Sequence, residues 1–210
     1  LVRKLPGQTV LSISRRAKFL LIETEDYFLL SHLGMTGAWR LETAEIEPHK
    51  HDHVILSFES GRKYVYSDPR RFGVLELVAK TGIAANKWLK NLGVEPLSES
   101  FTTELLFELT RKRKAPIKGV LMDQRHVVGV GNIYASEALF AARVSPRRPA
   151  GRLRRADAEK LVNAIRSILT AAIAAGGSTI SDYRNSKGES GSFQDRFLVY
   201  DREAAPCPGC

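Results

Sequence analysis

The sequence predicts an α+β chain of more than one domain, with an antiparallel β-sandwich or barrel first and a helical domain after it. Three observations carry that reading: short β-rich runs up to about Val78, a Gly- and Pro-bearing break at residues 92–98, and helical periodicity beyond it. The runs are residues 10–14, 19–23, 27–33, 38–41, 53–58, 63–67 and 74–78, whose β-branched, aromatic and leucine side chains suit a pleated, half-buried surface. Turn-forming residues separate them at Glu25-Asp26, Gly34, Ser60-Gly61 and Asp68-Pro69. The break places a domain boundary after residue 92, leaving 93–192 as the helical domain and 193–210 as a short third segment. Helices are expected over 102–110, from a first turn holding Pro116, over 132–142 and over about 155–175. The last carries Leu161, Ile165, Ile168, Leu169, Ala172 and Ile173 on one face, and Gly176-Gly177 stops it. Residues 193–200 return to strand-like composition and lead into Cys207-Pro208-Gly209-Cys210.

Composition narrows the partner. Over 210 residues, 32 basic side chains against 23 acidic give a net charge of +9, which favours a polyanion, nucleic acid first, over an acidic metabolite. No apolar run approaches the ~18 residues that span a bilayer, and residues 1–7 lack the core of a signal peptide, so a cytoplasmic protein without a membrane partner is expected. The two cysteines, Cys207 and Cys210, cannot build a disulfide framework; their spacing is half of a tetrahedral zinc site, with a redox pair as the alternative. Leu1 is not an initiator methionine and Cys210 falls inside a motif, so sequence beyond both ends is expected.

The sharpest local signal is Val127-Val128-Gly129-Val130-Gly131-Asn132-Ile133-Tyr134 between two expected helices. Its glycines allow a tight turn, and the amides of the new helix start suit a phosphate, with Asn132 adding a side-chain donor. A plain helical hairpin with close-packing glycines is the other reading. Upstream, Arg111-Lys112-Arg113-Lys114 and Lys118 are either a solvated face or, beside such a turn, phosphate contacts through Arg113 and Lys118. Asp68-Pro69-Arg70-Arg71-Phe72-Gly73 joins a fixed turn, two guanidiniums and an aromatic. An enzyme that extracts a base must fill the hole, so Phe72 is a candidate wedge as well as a candidate core residue. Met35, between Gly34 and Gly37, has the same two readings. His49, His51 and His53 alternate and would share one face of a strand, where a phosphate contact from His51 suits the basic setting better than a metal trio. Lys18 stands at a strand start and could point into a groove.

Taken in order, Arg16-Ala17-Lys18, His32-Leu33-Gly34-Met35, Lys50-His51-Asp52-His53, Asp68-Pro69-Arg70-Arg71-Phe72-Gly73, Leu121-Met122-Asp123, residues 128–137 and Cys207-x-x-Cys210 resemble the formamidopyrimidine-DNA glycosylases over essentially the whole chain. The resemblance implies a β-sandwich, a helix–two-turns–helix DNA-binding domain and the start of a β-hairpin zinc finger. It implies removal of oxidised purines, 8-oxoguanine and formamidopyrimidines, from double-stranded DNA by a monomer, with β,δ-elimination at the abasic site. The family's attacking amine belongs to a leading Pro-Glu pair that nothing in this sequence matches, so the 210 residues by themselves are expected to be inactive. By the same resemblance Lys18 is the active-site lysine. Met35, Arg70 and Phe72 enter the duplex, and His51, Arg70, Arg113, Lys118, Asn132 and Tyr200 contact DNA. Cys207 and Cys210 hold one zinc with a second pair beyond this sequence, and residues 185–192, with Lys187, Gly188 and Glu189, resemble a lesion-recognition loop. Endonuclease VIII-type excision of oxidised pyrimidines and a noncatalytic DNA-binding module remain alternatives.

Overall fold

In a computed structural model that describes residues 1–43, 45–179 and 189–209, seven strands precede four α-helices. The strands are β1 (Val10–Arg16), β2 (Phe19–Thr24), β3 (Tyr27–His32), β4 (Ala38–Glu42), β5 (Asp52–Ser57), β6 (Lys63–Ser67) and β7 (Val74–Ala79). The helices are α1 (Thr103–Thr110), α2 (Ile117–Met122), α3 (Asn132–Ala141) and α4 (Arg155–Ala174). The chain divides into two units, Leu1–Lys90 with Ser178–Ser192, and Asn91–Gly177 with Phe193–Cys210. Residues 193–210, set apart in the sequence reading, thus cluster with the helical unit.

The first unit pairs its strands antiparallel in two sheets, β1-β2-β3-β7 and β4-β6-β5. Leu29, Leu30, Val65 and Tyr66 bury their side chains, and the hydroxyl of buried Ser31 on β3 accepts a 2.9 Å bond from Trp39 Nε1 on β4. One expectation fails here. The pairing register shifts between Asp52 and Val54, and His49 and His51 lie before the strand, so the three histidines do not share a strand face. Instead, Arg40 grips the buried Asp52 carboxylate through both Nη atoms at 2.6 Å, and that carboxylate also accepts from the His49 amide. Arg40 holds Asp52 far below the usual carboxylate range.

The helical unit is built on Phe101, Leu106, Ile117, Leu121, Leu139, Leu161 and Ile165, each nearly or fully buried. Thr102 caps α1 by accepting from the Leu105 amide, while Pro116 sits at the cap of α2, one residue ahead of its expected place. On α4, Leu161, Val162, Ile165 and Ala172 are buried, whereas Ile173, expected on that face, is 68% exposed. Both Gly176 and Gly177 adopt positive φ and end the helix as expected. Leu92–Val94, read as a boundary loop, is structured against the α2–α3 turn: the Gly93 and Val94 amides donate to Gln124 O and His126 O, and Val128 N returns a bond to Val94 O. Residues 193–200 are not a strand. Phe193–Arg196 is a 3-10 turn whose Phe193, with Phe197 and Ala172, forms a second small core, and Phe193 N donates to Gly177 O at 3.0 Å.

Candidate nucleic-acid interface

In the first unit, two loops carry the residues expected to act as a wedge. Met35 is 69% exposed and Phe72 57% exposed, so neither is the core residue that the alternative reading allowed. The loops are tied together by Asp68, which is 1% exposed. Its carboxylate accepts from Thr36 Oγ1 at 2.6 Å, from Gly73 N at 2.8 Å and from Tyr66 OH at 3.4 Å, while Thr36 Oγ1 accepts from Arg70 N. Burial works to raise this carboxyl, and the bonds from Thr36, Gly73 and Arg70 outweigh it, so Asp68 sits below its ordinary pKa. Glycine is required at position 34, where φ is +62° and a Cβ would meet the Phe72 carbonyl carbon at 2.6 Å. The Arg70 guanidinium lies 4.7 Å from the Phe72 ring centre, a cation–π contact between two exposed side chains.

Lys18 occupies the two-residue turn between β1 and β2, not the strand start itself, and follows Ala17, which takes φ +53°. Its side chain reaches solvent, yet protein atoms crowd the ammonium and lower its pKa. His32 is also lowered, first by burial and then by the Lys18 charge, which brings these two groups within electrostatic range. Gly34 N donates to His32 Nδ1 at 3.0 Å, joining the Lys18 side of the unit to the Met35 loop. His51 is half-buried in the turn before β5, where its carbonyl accepts from Asp68 N and Ser67 Oγ.

In the helical unit, Gly129 takes φ +77° while Gly131 does not, so only the first glycine of the motif answers a backbone need. The turn is stitched by Gln124, whose amide accepts from Gly129 N and donates to Met122 O and Val130 O. Helix α3 begins at exposed Asn132 with no side-chain cap. Lys118, Asn132, Ser136 and Tyr200 line a cavity of about 970 Å³, which also reaches Cys207. Tyr200 is placed by Glu137, 3% exposed, whose carboxylate accepts the amides of Leu198, Val199 and Tyr200 at 2.8–3.0 Å. Arg113, on the loop after α1, bonds His126. The basic run is therefore not uniformly solvated.

Sequence reasoning singled out Lys18, Met35, His51, Arg70, Phe72, Arg113, Lys118, Asn132 and Tyr200 but did not identify Asp68, Gln124, His126 and Glu137 as groups that hold their loops and side chains in place. The run Asp68 to Gly73 hinted at the first and the run 128–137 contained Glu137, whereas Gln124 and His126 carried no local signal. Cys210, Lys187 and Gly188 lie outside the described residues. Among those described, no three His, Cys, Asp or Glu side chains come together to hold a metal, so they do not by themselves make a closed zinc site.

Comparison with known proteins bears on both units. The formamidopyrimidine-DNA glycosylase N-terminal domain matches residues 1–75, and the formamidopyrimidine-DNA glycosylase H2TH domain matches residues 92–184. The formamidopyrimidine-DNA glycosylase of Rhodospirillum rubrum is 48% identical over 213 aligned positions, covering 100% of this chain and 76% of that protein. Among solved structures, MutM (Fpg) from Thermus thermophilus is 45% identical with a TM-score of 0.88, over 97% of this chain and 76% of its own. A Lactococcus lactis Fpg, solved with DNA containing an abasic site, is 36% identical with a TM-score of 0.90, over 99% of this chain and 76% of its own. A sandwich that displays Met35, Arg70 and Phe72, a helical unit with the two-turn element, and identity over nearly the whole length agree: the chain belongs to the formamidopyrimidine-DNA glycosylase family of DNA-repair enzymes.

Proposed function

We propose that this chain supplies the DNA-gripping and base-extruding part of a base-excision repair enzyme that removes oxidised purines, 8-oxoguanine and formamidopyrimidines, from double-stranded DNA by glycosylase action followed by β,δ-elimination of the abasic strand, and that the 210 residues by themselves do not excise. The observation that carries the reading is the exposure of Met35 and Phe72 on two loops pinned together by one buried carboxylate, with Arg70 against the Phe72 ring. Extruding a base costs a few kcal/mol of stacking and pairing, and the extruded state persists only where protein fills the vacated space. Met35 and Phe72 supply apolar volume for that purpose, and Arg70 supplies donors to the edge of the orphaned cytosine. Lys18, whose crowded ammonium gives up its proton more readily than an ordinary lysine, suits a role beside the sugar in the elimination steps. His51, Arg113, Lys118, Asn132 and Tyr200 hold the phosphate backbone in this reading. The protein acts as a monomer in the cytoplasm. A zinc ion is part of the same proposal, supported by the spacing of Cys207 and Cys210, and no step above depends on it.

The test is equilibrium binding to a duplex carrying a tetrahydrofuran abasic site opposite cytosine or adenine. Arg70→Ala is expected to flatten the preference for cytosine, a contact worth about 1–3 kcal/mol of discrimination. Phe72→Ala is expected to weaken binding to both duplexes alike. Unchanged affinity and preference in both variants would sink the wedge assignment. Comparing excision from 8-oxoguanine and thymine glycol duplexes by the full-length enzyme separates the purine reading from the endonuclease VIII one.

A further inference from the structure

Arg113 is an exposed arginine with an unusually fixed head. Its Nε donates to Leu109 O at 2.5 Å and its Nη2 lies 2.8 Å from Nε2 of His126. A guanidinium can only donate, so His126 Nε2 must be the bare, accepting nitrogen and the imidazole proton must sit on Nδ1. That nitrogen is buried without a well-aligned hydrogen bond and stands 3.3 Å from Asp123 Oδ2, a carboxylate that fixes the tautomer through charge. Asp123 is itself clamped by Arg125, through Nε at 3.0 Å and Nη2 at 2.7 Å. The imidazole is anchored as well: its side chain is 12% exposed, His126 N donates to Asp123 O, and His126 O accepts from Val94 N. Two of the arginine's five donors are thus spent on fixing it, and among the described residues its Nη1 pair has no bond and is left for a partner.

We propose that His126 is a positioning residue that presets Arg113 for a DNA phosphate, with Asp123 holding His126 in the accepting tautomer. The proposal rests on the reading above that Arg113 contacts DNA. A long side chain that must be ordered on binding gives up rotamer freedom at that moment, whereas one already held by Leu109 O and His126 does not.

The experiment measures binding of the 210-residue chain to the tetrahydrofuran duplex across a salt series, with the melting temperature of every variant taken in parallel. Arg113→Ala is expected to weaken binding and to reduce the slope of log K against log salt by about 0.9, one phosphate contact. His126→Leu is expected to weaken binding about threefold to tenfold and to leave the slope alone, because the charge is still present. His126→Gln, whose side-chain oxygen can stand where Nε2 stands, is expected to restore affinity. The double variant Arg113→Ala/His126→Leu should bind no more weakly than Arg113→Ala alone. If Arg113→Ala binds like the parent, the underlying reading of Arg113 fails. If Arg113→Ala is weakened but His126→Leu binds like the parent, or its loss adds to that of Arg113→Ala, the positioning role of His126 is overturned. Should His126→Leu melt early, the His126→Gln variant at unchanged melting temperature decides alone: parental affinity supports the role, and weakened affinity removes it.

Discussion

Single buried carboxylates do much of the organising in this protein. Asp68 contributes nothing to the exposed surface, yet its two oxygens decide where Met35 and Phe72 are shown, because one binds Thr36 on the first loop and the other Gly73 on the second. Charge-assisted bonds of this kind contribute about 1.5–3 kcal/mol each, and an amide in place of the carboxylate sets a donor against a donor. Asp68→Asn should therefore lose roughly 2–3 kcal/mol of unfolding free energy in urea at pH 7. The pH dependence has a definite sign. The folded pKa of Asp68 is depressed, so its stabilisation is fully present above the unfolded value near pH 4 and fades as pH falls toward the folded one. In the Asn variant the acid limb of the stability profile should flatten below about pH 4 relative to the parent. An Asn variant as stable as the parent at pH 7 would mean that the loops are pinned by some other contact.

Among the elements, legibility in the sequence followed the range of the interactions that make each one. The strands of the sandwich and the long helices were readable because period-2 and period-3.6 patterns, turn residues and terminal glycines are local properties. Residues 193–200 were misread for a physical reason. Phe193, Phe197, Val199 and Tyr200 have strand composition, but the amides of 198–200 go to the carboxylate of Glu137, a group on α3 that no window around 193–200 contains. The same holds for Leu92–Val94, whose Gly93 admits no Cβ because the His126 carbonyl lies against it. Met35 and Phe72 drew attention through local motifs that left a core reading open, which their exposure decides against, whereas Asp68, Gln124 and His126 act through partners fixed only on folding. Glu137→Gln tests the element-level role: one oxygen keeps accepting while the new amide faces backbone donors. The 198–200 segment should loosen, with a stability loss of about 1–3 kcal/mol and weaker binding to abasic-site duplex through displaced Tyr200. A variant whose melting temperature and affinity both match the parent would show that Glu137 does not place this segment.

At the scale of the molecule, the charge of +9 is the term that any DNA fragment feels before sequence or damage matters. With Arg113 and Lys118 as the cationic phosphate contacts of the proposal, the slope of log K against log salt on undamaged duplex should lie at about −2. Lys118→Ala should reduce it by about 0.9, while Asn132→Ala, which removes a neutral donor, should lower affinity at every salt concentration without changing the slope. Equal slopes for the parent and Lys118→Ala would remove that lysine from the phosphate contacts. The connectivity of the two units has a different sort of consequence. Among the described residues, Ser178, Thr179 and 189–192 cluster with the first unit, and the chain re-enters the helical unit at Phe193, whose amide is bonded back to Gly177 O. The excursion is closed at its neck, so its length is nearly decoupled from the stability of the scaffold that carries it. Doubling such a loop costs only about 0.6 kcal/mol of closure entropy. An insertion between Thr179 and Glu189 should therefore leave the melting temperature of α4 and the Phe193 core nearly unchanged, and a cut there should leave a nicked protein whose second piece is still held through Phe193 and Phe197.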